Sequence, residues 1–130
     1  MRYWHFCAHE QFPPDGLLRQ AVAAEGAGFD GIGCSDHLQP WWEPGESGQA
    51  WVWLGAVAQA TERVELGTGV TPAGPRYHPV LIAQAWATLE TMFPGRPYLG
   101  IGSGESLNES PLGAEPPVGK QIERMPRPSS

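Results

Sequence analysis

Four strand-like runs recur about 30 residues apart with helical periodicity between them, and this alternation constrains the fold more than any other feature. The runs fall at residues 3–8, 31–34, 64–69 and 98–101. After the first, Pro13-Pro14-Asp15 opens a helix through Ala27 with Leu17, Leu18, Ala21, Val22 and Ala24 on its inner side, closed by Gly26 and Gly28. Trp51, Leu54, Ala58 and Thr61 repeat at helical spacing. Pro79 suits the first turn of a third helix, whose Ile82, Ala85, Trp86 and Leu89 face inward before Pro94-Gly95 stops it. The order βαβαβαβ requires parallel strands joined by helical crossovers. A doubly wound sheet and a (β/α)8 barrel both satisfy it, but three successive strands here end in polar, unusual loops, which favours the barrel. The expected fold is therefore α/β, a partial (β/α)8 TIM barrel of about four β/α units at residues 1–109. Beyond Ser110, the prolines Pro111, Pro116, Pro117, Pro126 and Pro128 and the closing Ser129-Ser130 break any periodicity, which predicts an irregular tail at 110–130.

Composition excludes several functions. Of 130 residues, 41% are hydrophobic, enough for one modest core. Fourteen acidic against eight basic residues give a net charge of −6, with no basic stripe for a phosphate backbone, so no nucleic-acid partner is expected. No apolar run approaches the roughly 18 residues of a membrane helix, and the first ten residues lack the apolar stretch of a signal peptide. Cys7 and Cys34 have no CxxC spacing and read as buried, reduced thiols, which fits a cytoplasmic protein.

Chemistry concentrates in two strand-end runs, Cys34 to Trp42 and Gly102 to Glu109. His37 stands beside Asp36 and four residues before Trp41, either as an imidazole at a pocket mouth walled by indole or as an ordinary loop histidine. Glu105 strengthens the first reading, because acid-base chemistry needs two titratable groups brought from different strands. Alternating Gly100, Gly102 and Gly104 admit a flat or anionic ligand to the backbone, or simply make a tight turn. A dinucleotide fingerprint fails, since glycine would be needed where Glu105 stands, and no P-loop lysine follows. Ser106 and Glu109 have capping-box spacing, and Asn108 suits a turn. The stiff run from Val70 to Pro75 reads as a crossover, while Arg76 and His78 either meet anions or are solvated. His5 and His9 are four apart in a strand-like segment, the wrong period for a shared metal, so no metal site is expected. Trp51, Trp53 and Trp86 read as core. No nucleophile elbow occurs, which removes acyl hydrolysis.

Several motifs in fixed order carry a resemblance. Ser35-Asp36-His37-Leu38-Gln39-Pro40-Trp41, Leu66-Gly67-Thr68-Gly69-Val70-Thr71, Arg76-Tyr77-His78-Pro79, Pro94-Gly95-Arg96 and Gly102-Ser103-Gly104-Glu105 through Glu109 together resemble the bacterial luciferase-like superfamily. The branch they resemble most is that of the deazaflavin-dependent glucose-6-phosphate dehydrogenases. The resemblance implies a barrel that binds coenzyme F420, or FMN in some relatives, at the carboxyl ends of its strands. By position, Asp36 would contact the ring, as would Ser103, Gly104 and Asn108 around its tail or edge. Thr71 would match a cofactor-binding threonine, and Gly69-Val70 would form a non-proline cis peptide under the ring. His37 and Glu105 would be the acid-base pair of hydride transfer, in an order left open, with Trp41 positioning a small alcohol or lactol and Glu10 lining the pocket. Two alternatives stand beside this one: an FMN-dependent monooxygenase or reductase, and a non-catalytic remnant or binding fragment. A complete barrel takes about 250 residues, so the chain is expected to be a partial sequence. Its open strand edges should leave it poorly stable, or paired with another copy as a homo-oligomer.

Overall fold

Strand and helix positions follow the sequence pattern closely, and the departures occur where the sheet itself decides. The structure, a computed structural model, describes residues 1–104. The elements run β1 (Trp4–Cys7), α1 (Pro14–Gly26), β2 (Gly31–Cys34), α2 (Ala50–Ala60), β3 (Glu65–Thr68), β4 (Thr71–Pro72), α3 (Pro79–Met92), β5 (Pro97–Tyr98) and β6 (Ile101–Gly102). β1, β2, β3 and β5 pair in that order, all parallel, with Trp4 opposite Gly31, Gly31 opposite Glu65, and Leu66 opposite Pro97. Spatial order thus equals chain order, without the reversal that a doubly wound sheet needs. The four successive strands form one wall of a (β/α)8 barrel.

The strand expected at 98–101 is divided between β5 and β6, and the one expected at 64–69 is followed by a further short strand, β4. Pairing stops at Thr68 and resumes past the cis Gly69–Val70 peptide, where β4 lies parallel to β6 with Thr71 opposite Ile101. The run expected to be a crossover from Val70 is therefore strand at Thr71–Pro72. Only the partner strand reveals this, because a two-residue strand carries no period of its own.

Helices cover one face of the sheet. Cys7, Ile32, Cys34 and Leu66 from the strands pack with Leu17, Ala21 and Ala24 of α1, Leu54, Val57 and Ala58 of α2, and Ile82 and Leu89 of α3. Both cysteines are free thiols in this layer, and burial pushes Cys7 up to about 12. Val22 departs from expectation and is exposed, since the buried line of α1 runs through positions 17, 21 and 24 and leaves 22 on the flank. Trp51 and Trp53 are buried as expected, whereas Trp86 and Ala85 are only partly buried at the rim of the core. The opposite face is built from glycine and aromatic rings. A Cβ at Gly31 would stand 2.2 Å from the Trp4 ring, and one at Gly67 would stand 2.2 Å from the Tyr98 carbonyl oxygen, so both rings lie directly across bare backbone. Trp4 and Tyr98 meet edge to face at 5.5 Å.

The amino ends of the strands are fastened by charged side chains on backbone groups. Glu25, in the last turn of α1, accepts from the amides of Glu62, Arg63 and Val64 at 2.8 to 3.1 Å. Burial raises its pKa, but those three donors outweigh it and leave the carboxyl below its usual range. Arg63 donates back to the carbonyls of Glu25 and Phe29. Arg96 donates to the carbonyls of Val64, Ala58 and Thr61 and to Thr61 Oγ1, tying the start of β5 to the end of α2.

Candidate functional site

At the carboxyl ends of the strands, the loops after β1 and β2 meet through one carboxylate. Ser35 Oγ donates to Glu10 Oε2 at 2.6 Å, and His37 Nδ1 stands 2.9 Å from Glu10 Oε1. Ser35 Oγ also accepts from the His9 amide at 2.8 Å. Glu10 and Ser35 are buried, and His37 is partly so. The ring of His37 lies 5.4 Å from Trp41, tilted by 50°, and Trp41 continues to Trp42 at 6.1 Å. His9 itself is wholly buried, edge-on to Trp53 at 4.8 Å, and its ring nitrogens have no hydrogen-bond partner among the described residues. Burial lowers its pKa, and the nearby Glu10 and Asp36 oppose that shift without reversing it.

Asp36 anchors the neighbouring loops. Its side chain is 1% exposed and accepts from Arg76 Nη1 at 2.9 Å, Thr71 Oγ1 at 2.7 Å and Tyr77 OH at 3.3 Å. Arg76 also donates to the Asp36 carbonyl and lies over the Tyr77 ring. Burial and the Asp36 charge push the Tyr77 hydroxyl far up. Trp51 Nε1 donates to Thr71 Oγ1, and Thr68 Oγ1 donates to the Gly100 carbonyl beside it. Arg76 is therefore neither solvated nor open to an external anion, because a carboxylate inside the protein already holds it. His78 accepts from the Val80 amide and caps α3, and it is exposed, in line with the solvated reading.

Two cavities flank the Glu10–His37 pair. One, of about 370 Å³, is lined by Asp36, His37, Gly69, Val70, Pro72, Gly102, Ser103 and Gly104. Three of these residues are glycines, and a Cβ at Gly102 would reach within 2.4 Å of Val70 Cγ2. A flat ring can rest on such a surface, where side chains would lift it away. The other cavity, of about 240 Å³, is lined by Phe6, Ala8, Glu10, Gln11, Trp41 and Trp42. Of the residues singled out in the sequence, Glu10, Asp36, His37, Trp41, Gly69, Val70, Ser103 and Gly104 line one cavity or the other. Thr71 lies behind the wall, fully buried on Asp36. Glu105 and Asn108 lie outside the described residues, as does the expected tail. Sequence reasoning missed the Ser35–Glu10 link and the Arg76–Tyr77 grip on Asp36. Both join residues 25 or more positions apart, and the only local sign was a serine leading the Asp36-His37 run.

The model of the luciferase-like monooxygenase family matches residues 1–126. The chain belongs to that family. Among curated members, it is 52% identical over 122 residues to the F420-dependent glucose-6-phosphate dehydrogenase of Beutenbergia cavernae, covering 93% of this chain and 36% of that protein. It is 50% identical over 103 residues to the F420-dependent hydroxymycolic acid dehydrogenase of Mycobacterium tuberculosis, covering 78% of this chain and 29% of that one. Among solved luciferase-like structures, an F420-dependent secondary alcohol dehydrogenase in complex with an F420-acetone adduct superposes with a TM-score of 0.91 at 40% identity, over 95% of this chain and 38% of the other. The chain thus spans between 29% and 38% of the length of these luciferase-like relatives. No helix among the described residues is long and apolar enough to cross a membrane.

Proposed function

We propose that the protein acts as an oxidoreductase that moves a hydride between coenzyme F420 and the carbinol carbon of a small alcohol or lactol. The observation that carries this reading is His37, backed by Glu10 at 2.9 Å, standing between a glycine-lined cavity and an aromatic one. The names of the F420-dependent relatives support the choice of cofactor. When bound, F420 supplies the two-electron hydride acceptor. Gly69, Val70, Gly102, Ser103 and Gly104 would hold its ring by close backbone approach, with Asp36 keeping the His37 loop in place from below. Trp41 would orient the substrate against His37. A carbinol releases hydride only as its hydroxyl loses a proton, and His37 would receive that proton. Glu105 is its proposed partner on the cofactor side.

Parallel absorbance titrations with F420 and with FMN test the reading. Saturable F420 binding without FMN binding is the expected result, and His37→Ala should retain binding while turnover drops about 100-fold or more. FMN binding alone would move the protein to the flavin-dependent branch. Binding of neither, or full turnover by His37→Ala, overturns the proposal.

A further inference from the structure

We infer that Ser35 is a positioning residue that sets the proton arrangement of His37 through Glu10. A hydroxyl has one proton and two lone pairs, and the surroundings of Ser35 determine where each goes. Its oxygen accepts from the His9 amide at 2.8 Å, and its proton goes to Glu10 Oε2 at 2.6 Å, a length typical of a hydroxyl on a charged oxygen. The Ser35 amide meanwhile donates to the Cys7 carbonyl, which continues the β1–β2 ladder into the site and fixes the serine backbone. With Oε2 taken, Oε1 is the oxygen presented to His37 Nδ1, 2.9 Å away but off the line of a hydrogen bond. Contacts of this kind align further when a ligand enters.

A carboxylate only accepts, so its position opposite Nδ1 assigns the single proton of a neutral imidazole to that nitrogen. Nε2 then carries the lone pair. That is the form needed to take a proton from a hydroxyl, the part proposed for His37 above. Ser35 lines neither cavity, and its effect reaches the reaction only through Glu10. The inference rests on the proposed role of His37, but its central claim concerns the histidine ring and can be read without cofactor.

Long-range proton–nitrogen NMR on protein labelled with ¹⁵N-histidine reads the tautomer directly. The wild type should show His37 as the Nδ1–H form, Ser35→Ala should lose that preference, and Ser35→Thr should restore it. With F420 bound, Ser35→Ala should lower kcat roughly 10- to 100-fold at unchanged F420 affinity, the range seen when an outer partner of an active-site group is removed. Ser35→Cys, which keeps the volume but donates weakly, gives the same comparison if the alanine variant does not fold. An unchanged Nδ1–H tautomer in Ser35→Ala or Ser35→Cys overturns the inference even if turnover falls. Failure to bind F420, by contrast, removes the proposed function and leaves the tautomer result to decide the role of Ser35.

Discussion

Asp36 is enclosed by partners that the chain itself supplies, and Arg76 is its counter-charge. Replacing Arg76 by Met keeps much of its stem but leaves a carboxylate buried opposite Thr71 and Tyr77 without its counter-charge. Breaking a buried pair in this way costs about 3–5 kcal/mol, so the urea midpoint of Arg76→Met should fall steeply at unchanged slope. His9 gives a residue-scale prediction of a different kind. Buried with a lowered pKa, it resists in the folded state the proton that the unfolded chain accepts below about pH 6.5. Stability should therefore fall as pH drops through that value and continue falling until the folded imidazole itself charges. His9→Phe keeps the ring against Trp53 and removes the titration, so its urea midpoint should change less across the same range.

The elements divide into what local spacing reveals and what only pairing reveals. Pro14 and Pro79 at helix starts, the 17–21–24 line of α1, and glycine-rich strand ends are all legible in the sequence, because caps and helical periods are local. The breaks after Thr68 and Tyr98 are not, since they depend on which backbone lies alongside. The same division holds in the site. Asp36, His37 and Trp41 stand out as a strand-end run, while Arg76 is ambiguous by spacing alone because the carboxylate that receives it lies 40 positions earlier. Pairing also ranks two glycine substitutions. At Gly67 the obstacle is the Tyr98 backbone carbonyl, and at Gly31 it is the side chain of Trp4, which can swing aside. Gly67→Ala should cost about 1–3 kcal/mol in urea unfolding and loosen hydrogen-exchange protection along β3 and β5, with Gly31→Ala the milder change. At the other end of α1, the depressed carboxyl of Glu25 adds stability that is present at neutral pH and lost as pH falls through its folded value. In Glu25→Gln that acid-side loss should shrink, together with the stability at neutral pH.

Across the whole molecule, one sheet face carries helices and the other carries Trp4, Phe6 and Tyr98, which are 36%, 53% and 51% exposed. Among the described residues, β1 and β5 each have a partner on one side only. Exposed rings beside unpaired parallel edges favour association, so the 130-residue polypeptide made by itself should bind ANS and sediment as more than a monomer at micromolar concentration. A dilute monomer with a sharp urea transition and no dye binding would show that this face needs no cover. Glu25, Arg63 and Arg96 rivet the underside of this wall, far along each strand from the rim that carries His37 and Trp42. A designer can therefore reshape the rim, beginning with the exposed Trp42, while the chassis keeps its hold.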